Sequence, residues 1–459
     1  MSKAYTGVSR QLVIAFDIGT TYSGVSYCLL DPGQEPKICN ITRYPGQEHV
    51  SGSSKIPTIL CYDSQGSLRA AGAEALLPEN IEKFEDEEWV KAEWFKLRMH
   101  PASMQAADLP PLPPNKSLVQ VFADFIGYLM ACAKTFICET HLTLSNSWDT
   151  LKNNMTFVMG HPNGWEGAQQ SLMRQAAIMA NIIPDTTDGH SRVRFVTEGE
   201  ASLHYCLREI SLDDVKRGFV IADLGGGTLD FSAYKVAETK PMRVEEISAP
   251  KYKLQNSRYG SDEHVKQIGE RFDETTKKIF RDTNDVCVVP FGSISDKDME
   301  NEIRSGKLKL SGDDVASFFK PAITASVTAI VDLINESSTP IKTVYLVGGF
   351  SASPYLTAQL VKHLSIFNIS VTCPDGQTAK AVADGAISFY LDQFVSSRVS
   401  KASYGIEISY DYDSTDPEHN ARMEDLSRQP SGRYVVSGGF ATILKRARSN
   451  LPHTFSSLF

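Results

Sequence analysis

No CxxC pair, no HExxH and no Cys/His cluster occurs in this chain of 459 residues, and its ten histidines are dispersed, so no zinc site is expected. The eight cysteines (28, 39, 61, 132, 138, 206, 287 and 373) follow no regular spacing, which predicts reduced, mostly buried thiols and a cytoplasmic setting. Residues 1–10 are polar and the apolar run at 12–16 is far too short for a signal peptide. The longest nearly apolar stretch, 118–138, carries Asp124 and Lys134 at its heart, which predicts an amphipathic or buried helix rather than a membrane span. Positive charge is in deficit: 46 Lys and Arg against 55 Asp and Glu leave a net charge of -9. That balance argues against nucleic acid or an anionic membrane as the main partner. What is present is ordinary for a globular protein, with 42% apolar and 22% charged residues. The length suits two or more domains, or one large two-lobed body.

The most informative stretch is 219–234, Phe-Val-Ile-Ala-Asp-Leu-Gly-Gly-Gly-Thr-Leu-Asp-Phe-Ser-Ala-Tyr. An apolar run ends at Asp223, then Gly225, Gly226, Gly227 and Thr228 follow, and a second run begins behind Asp230. The pattern predicts a buried strand, a tight glycine turn and a returning strand. Glycines let backbone N–H groups converge on an anion, and a carboxylate at the strand end is placed to hold Mg²⁺. A tight turn whose glycines serve only geometry has the same local sequence. The pattern recurs at 12–30, where an apolar strand reaches Asp17 and is followed by Gly19, Thr20, Thr21, Tyr22 and a second β-rich run. Recurrence at a domain-sized interval predicts a duplicated fold, with two phosphate hairpins facing one another across a cleft.

The rest of the chain alternates strands and helices, an α/β pattern. Strands are expected near 56–62, and the acidic run 82–88 reads as a solvated face. Lys96, amid Trp94 and Phe95, could reach a phosphate, although alone it reads as a snorkelling surface lysine. Residues 109–114 form a polyproline-type connector. A long helix is expected at 118–139, a strand at 155–162, and a helix at 165–180 with Trp165, Leu172, Ala176 and Met179 in the core. Residues 194–206 pass from strand to helix with Glu198 at the junction. In a helix running through Phe280, Glu274, Lys277, Lys278 and Arg281 fall at i, i+3, i+4 and i+7, hence on one face; alone this is an exposed ion-paired stripe. A buried strand at 343–350 ends in the Gly348-Gly349 turn before a helix begun at Pro354, a usual place for a ligand in an α/β sheet. Residues 378–391 predict a small-residue helix suited to close packing. Strand-like pieces follow at 404–410 and 434–444, and 450–459 show no periodic pattern.

The ordered set Asp17-Ile-Gly-Thr-Thr-Tyr, Asp223-Leu-Gly-Gly-Gly-Thr and Leu346-Val-Gly-Gly resembles the nucleotide-binding domain shared by actin, sugar kinases and heat shock protein 70 chaperones. Its wording is most similar to the heat shock protein 70 family, in the divergent branch of heat shock protein family A member 12-like proteins expanded in fungi. The resemblance covers about 12–391. It implies an actin-like ATPase (duplicated RNase H-like) fold, two lobes around a central ATP cleft. The expected division is lobe I at 10–213 with an inserted subdomain at 41–116, lobe II at 214–395 with an insertion at 259–317, and a partly irregular extension at 396–459. The resemblance further implies that Gly19 to Tyr22 and Gly225 to Thr228 bind phosphates, and that Asp17 and Asp223 hold Mg²⁺. Lys96 would reach the γ-phosphate and Pro162 would stand at a hinge. Glu198, Asp223 and Thr228 would orient the attacking water. Glu274, Lys277, Lys278, Arg281, Gly348, Gly349 and Phe350 would surround the adenosine.

Departures from the family pattern temper the functional expectation. Its adenine-stacking arginine is Ala352 here, its Val-Pro-Ala hinge reads His161-Pro162-Asn163, and no Asp-Leu-Leu-Leu linker follows Leu391. A peptide-binding domain is not expected. The expected function is a chaperone-like, Mg²⁺-dependent ATPase that opens and closes its lobes, with ATP as ligand and protein partners unidentified. A nucleotide-binding scaffold with little or no hydrolysis is the alternative. A sugar kinase is less favoured, because its catalytic Gly-Asp-Gln segment has only Asp375-Gly-Gln377 as a counterpart.

Overall fold

A computed structural model describes residues 4–48, 54–100, 109–145, 148–207, 217–226, 228–239, 242–246, 251–254, 269, 271–273, 275–290, 302–400, 402–445 and 449–450. Strand β1 (Gln11–Asp17) is buried from Leu12 onward, as a continuous apolar run in a covered sheet should be. After a turn at 18–21, β2 (Tyr22–Leu30) returns antiparallel with Gly24 opposite Asp17. Next, β3 (Ile38–Asn40) adds to the far side of β2, and the short β4 (Ile56–Pro57) pairs with its first residues. Then β5 (Ile59–Tyr62), β6 (Leu68–Ala71) and β7 (Val90–Glu93) make a separate three-stranded sheet. Helix α1 (Leu118–Thr140) starts at a capping box between Ser117 and Gln120. It leads to β8 (Met155–His161), parallel to β1, then to α2 (Gly167–Met179) and to β9 (Val193–Thr197), parallel to β8. From there the chain passes directly into α3 (Glu198–Cys206).

The second half repeats this plan. Strands β10 (Gly218–Leu224), β11 (Thr228–Thr239) and β12 (Met242–Glu246) form an antiparallel meander, and β13 (Lys251–Leu254) pairs with β11. A small sheet of β14 (Val286–Pro290), β15 (Ile303–Arg304) and β16 (Lys307–Ser311) precedes α4 (Gly312–Glu336), which is capped by Ser311 and Asp314. Strand β17 (Ile341–Val347) then lies parallel to β10. After α5 (Pro354–Ser365), β18 (Ser370–Thr372) lies parallel to β17, and α6 (Ala381–Asp392) follows. The sheet orders are β3-β2-β1-β8-β9 and β18-β17-β10-β11-β12. Read from the first strand of each half, both are 3-2-1-4-5, with the first three strands antiparallel and the last two parallel. That is the RNase H-like sheet formed twice, so the fold is the actin-like ATPase fold. Beyond it, β19 (Val395–Val399) lies parallel to β12, and β20 (Tyr404–Asp411), β21 (Leu426–Arg428) and β22 (Tyr434–Leu444) form a further sheet. Ser449–Asn450 pairs with β19, whereas 451–459 lie outside the described residues.

Helices α1 and α4 are each long and apolar enough to cross a membrane. Each instead turns an apolar face inward, α1 through Phe122, Phe125, Ile126 and Leu129 and α4 through Phe319, Ile330 and Leu333. Two expectations need correction. The second helix begins at Gly167, so Trp165 is buried ahead of it, and Met179, its last residue, is 47% exposed rather than in the core. The helix expected to run through Phe280 ends at Ile279, because Phe280 adopts extended ψ and drops its ring into the second core. Arg281 therefore lies past the helix end and does not share a face with Lys277 and Lys278. Glu274 lies outside the described residues.

The halves meet through equivalent helices, since α3 and α6 each follow the fifth strand of their half. The small-residue helix does pack closely: a Cβ on Gly385 would run into the Ala201 carbonyl oxygen. Gly385→Val should cost about 1–3 kcal/mol or more in urea unfolding. Gly127→Ala is the control, because a Cβ there meets nothing. An unfolding midpoint unmoved by Gly385→Val would mean that α3 and α6 do not touch as described.

Candidate functional site

Because β1 and β10 are equivalent, their C-terminal aspartates reach equivalent places. Asp17 and Asp223 are 6% exposed each, and the turns beyond them touch, since a Cβ on Gly226 would strike the Thr21 hydroxyl. Gly225 N–H donates to the Thr228 carbonyl at 2.9 Å and closes the second turn; Gly227 lies outside the described residues. In the first turn Thr20 is buried and Tyr22 half exposed, while the Thr21 carbonyl accepts Thr58 N–H at 2.8 Å. The third glycine turn abuts the same spot. Gly348 has φ +87°, and a Cβ there would strike Asp223 Oδ1 and the Leu224 carbonyl. Only glycine serves at 348, for backbone angle and for space.

Side chains from other elements complete a charged cluster. Lys96 is 3% exposed, and its ammonium donates to Glu198 Oε1 at 2.6 Å. The surface-lysine reading of Lys96 is thereby overturned: its stem lies in the core and its charge meets a carboxylate on the first residue of α3. The Trp165 ring faces the ammonium at 5.8 Å. Ser202, one turn after Glu198 on α3, donates to Asp223 Oδ2 at 2.7 Å. Asp230 stands directly opposite Asp223 in the β10–β11 ladder and is 1% exposed. Its Oδ1 accepts the Asn163 N–H at 2.7 Å, and its Oδ2, though buried, has no hydrogen-bond partner. Asn163 also donates through Nδ2 to Ser232 Oγ at 3.1 Å, so the segment after Pro162 is tied to β11 of the other half. Finally, Lys55 is ion-paired to Asp17.

Two lysines thus face four carboxylates (Asp17, Glu198, Asp223, Asp230), a formal deficit of two positive charges. Burial pushes the Asp223 carboxyl up to about 7, with Glu198 adding to the rise and Ser202 opposing it. Burial also raises Asp230 well above the usual carboxylate range, again with Glu198 adding. Burial lowers the Lys96 ammonium, but Glu198, with Asp17 and Asp230 adding, more than offsets that and raises it. Burial raises Glu198, against the pull of Lys96. Like charges opposed across a ladder and an orphaned carboxylate oxygen both cost stability, the latter about 1–3 kcal/mol. A divalent cation fits the charge deficit. Among the described residues no three His, Cys, Asp or Glu side chains form a ready metal cage. Mg²⁺ ordinarily takes one or two carboxylates and fills its remaining positions with water and phosphate.

The residues expected to surround an adenosine lie on the second half. Lys277 pairs with Asp273 at 3.0 Å, and its ammonium sits 4.7 Å from the Phe350 ring centroid. Phe350 stacks on Phe319 at 5.9 Å. Lys278, Arg281 and Ala352 are exposed. Sequence reasoning gave no role to Lys55, Ser202, Asn163 or Asp230. Asp230 was visible as a second carboxylate across a short turn from Asp223, and Ser202 as the residue one helical turn after Glu198. Lys55 carried no signal, because only the pairing of β4 with β2 brings it to Asp17.

No family model matches the chain. Over 207 residues it is 23% identical to Heat shock 70 kDa protein 12B of Homo sapiens; the match takes in 43% of this chain and 28% of that relative. The chain thus spans less than a third of the curated relative. Among solved structures it is similar to MreB5 of Spiroplasma citri bound to ADP, at 12% identity and a TM-score of 0.48, over 83% of this chain and 96% of that one.

The raised Asp223 pKa fixes a pH dependence. Between the unfolded value near 4 and about 7 the folded state holds a proton that the unfolded state releases, so this residue's contribution to stability falls as pH rises through that window. Asp223→Asn removes the linkage. Its melting temperature relative to wild type should therefore climb from pH 5 to pH 7.5 and level off above. A constant difference across that range would refute the shift.

Proposed function

We propose that this chain binds ATP and ADP with Mg²⁺ between its two halves and hydrolyses ATP, using the nucleotide as a switch between arrangements of the halves. The carrying observation is the convergence of Asp17, Lys96, Glu198, Asp223 and Asp230 beside two facing turns of a duplicated fold. A cluster of buried charge this unfavourable to folding has a reason to exist at a site of chemistry. The partial similarity to Heat shock 70 kDa protein 12B supports the same reading and its chaperone-like sense. Mg²⁺ bound with the nucleotide supplies charge neutralisation at the phosphates, and Asp17 and Asp223 are the residues that hold it.

The chain's own groups do the rest, mainly by positioning and electrostatics. Backbone N–H groups of the two turns bind phosphate oxygens, that of Gly225 excepted because it is already given to the Thr228 carbonyl. Lys96, fixed by Glu198, faces the γ-phosphate. Glu198, Asp223 and Thr228 orient a water. On the adenosine side Lys277 and Phe350 form a cation–π platform where Ala352 offers none. Asn163, next to Pro162, ties the first half to Asp230, a path by which closure is felt at the cluster. A reducing, cytoplasmic setting suits the eight free thiols.

Mg²⁺-dependent phosphate release from ATP tests the reading. Asp223→Ala should abolish it, and Lys96→Ala should leave ATP affinity within about threefold while lowering turnover by about a hundredfold or more. Nucleotide binding without any turnover would favour a scaffold over an ATPase. Unchanged hydrolysis in Lys96→Ala would remove that lysine from the γ-phosphate.

A further inference from the structure

The two lysines of the cluster are held differently. Lys96 is locked in the core, with its side chain 3% exposed, whereas that of Lys55 is 20% exposed and rests on Asp17. Lys55 is delivered by the phosphate hairpin's own backbone partner. In β4, Ile56 pairs with Ser23 and Pro57 with Tyr22. Thr58 N–H then bonds the Thr21 carbonyl at 2.8 Å, and the Ser23 and Thr58 hydroxyls meet at 2.7 Å. Gln47 Nε2 fixes the Lys55 carbonyl at 2.9 Å. The lysine stem crosses Gly24, where a Cβ would stand 3.1 Å from Cδ and 3.4 Å from Cε, so glycine clears its path.

From this geometry we propose that Lys55 is a tethered counter-cation of the nucleotide site. It holds Asp17 while the site is empty and swings to the phosphates when nucleotide enters, so the chain binds nucleoside diphosphates even without a divalent metal. The inference rests on the nucleotide reading above and deepens it. Lys55 meets Asp17 through Oδ2 in a partly exposed pairing, for which nucleotide phosphates would compete with or without a metal. A lysine suits this exchange because it is a compact point charge on a flexible stem.

The test is ADP affinity for wild type, Lys55→Met and Lys55→Arg, each measured in excess Mg²⁺ and in EDTA. Melting of the nucleotide-free variants provides the fold check. Wild type should bind ADP under both conditions. Lys55→Met should lose about tenfold or more in EDTA and markedly less in Mg²⁺, and Lys55→Arg should retain most of the EDTA binding. Wild-type binding that vanishes in EDTA, or equal losses for Lys55→Met under both conditions, would overturn the proposal while leaving the nucleotide site standing. Absence of ADP binding by wild type in Mg²⁺ would instead remove the nucleotide reading itself.

Discussion

Asp223 and Asp230 oppose one another across two antiparallel strands, both buried, with Glu198 beside them and Lys96 the nearest locked cation. Much of the architecture can be understood as the means of holding that confrontation. The strands β10 and β11 bring the two carboxylates together, and Ser202 and Asn163 each tie one of them down. Lys96 reaches the cluster across a distance of about a hundred residues in sequence and pairs with a helix that belongs to the other side of the sheet. Removing one partner from a buried ion pair commonly costs about 3–5 kcal/mol. Lys96 and Glu198 therefore each depend on the other for their place in the core.

The duplication explains why this cluster sits where it does. In each half the first strand ends in an aspartate and the fifth is followed by a helix packed across the interface. The close contact of Gly385 with Ala201 sets how near those helices come. Helix α3 bears on both sides of that arrangement. Glu198 and Ser202 point to the charge cluster, while Glu200 forms a bidentate pair with Arg398 of β19, at 2.6 and 3.0 Å. A shift of α3 would thus be felt both at the charge cluster and at the strand that leads to the last sheet.

The hairpins at Asp17 and Asp223 were legible because strand, carboxylate and glycine turn are contiguous, and their recurrence announced the duplication. Lys96 was legible only through family resemblance, since its local sequence suits a surface residue and its burial is a tertiary fact. The stripe from Glu274 to Arg281 misled because helical spacing was extended past Phe280, a residue that the second core claims for itself. Lys55 and Asn163 could not be read at all: the pairing of β4 with β2 and the seating of the Pro162 segment on β11 are long-range events without a local signature.

The central claim is that the charge cluster is built to be completed by Mg²⁺ and nucleotide phosphates. It is tested most directly by the melting temperature of the wild-type chain alone, with Mg²⁺, and with Mg²⁺ and ADP together. A ligand that binds only the folded state raises stability by about 2.7 kcal/mol at a hundred times its dissociation constant. A clear rise with Mg²⁺ and ADP together, well above that with Mg²⁺ alone, is the predicted result. An unchanged melting temperature at millimolar Mg²⁺ and ADP would contradict the account.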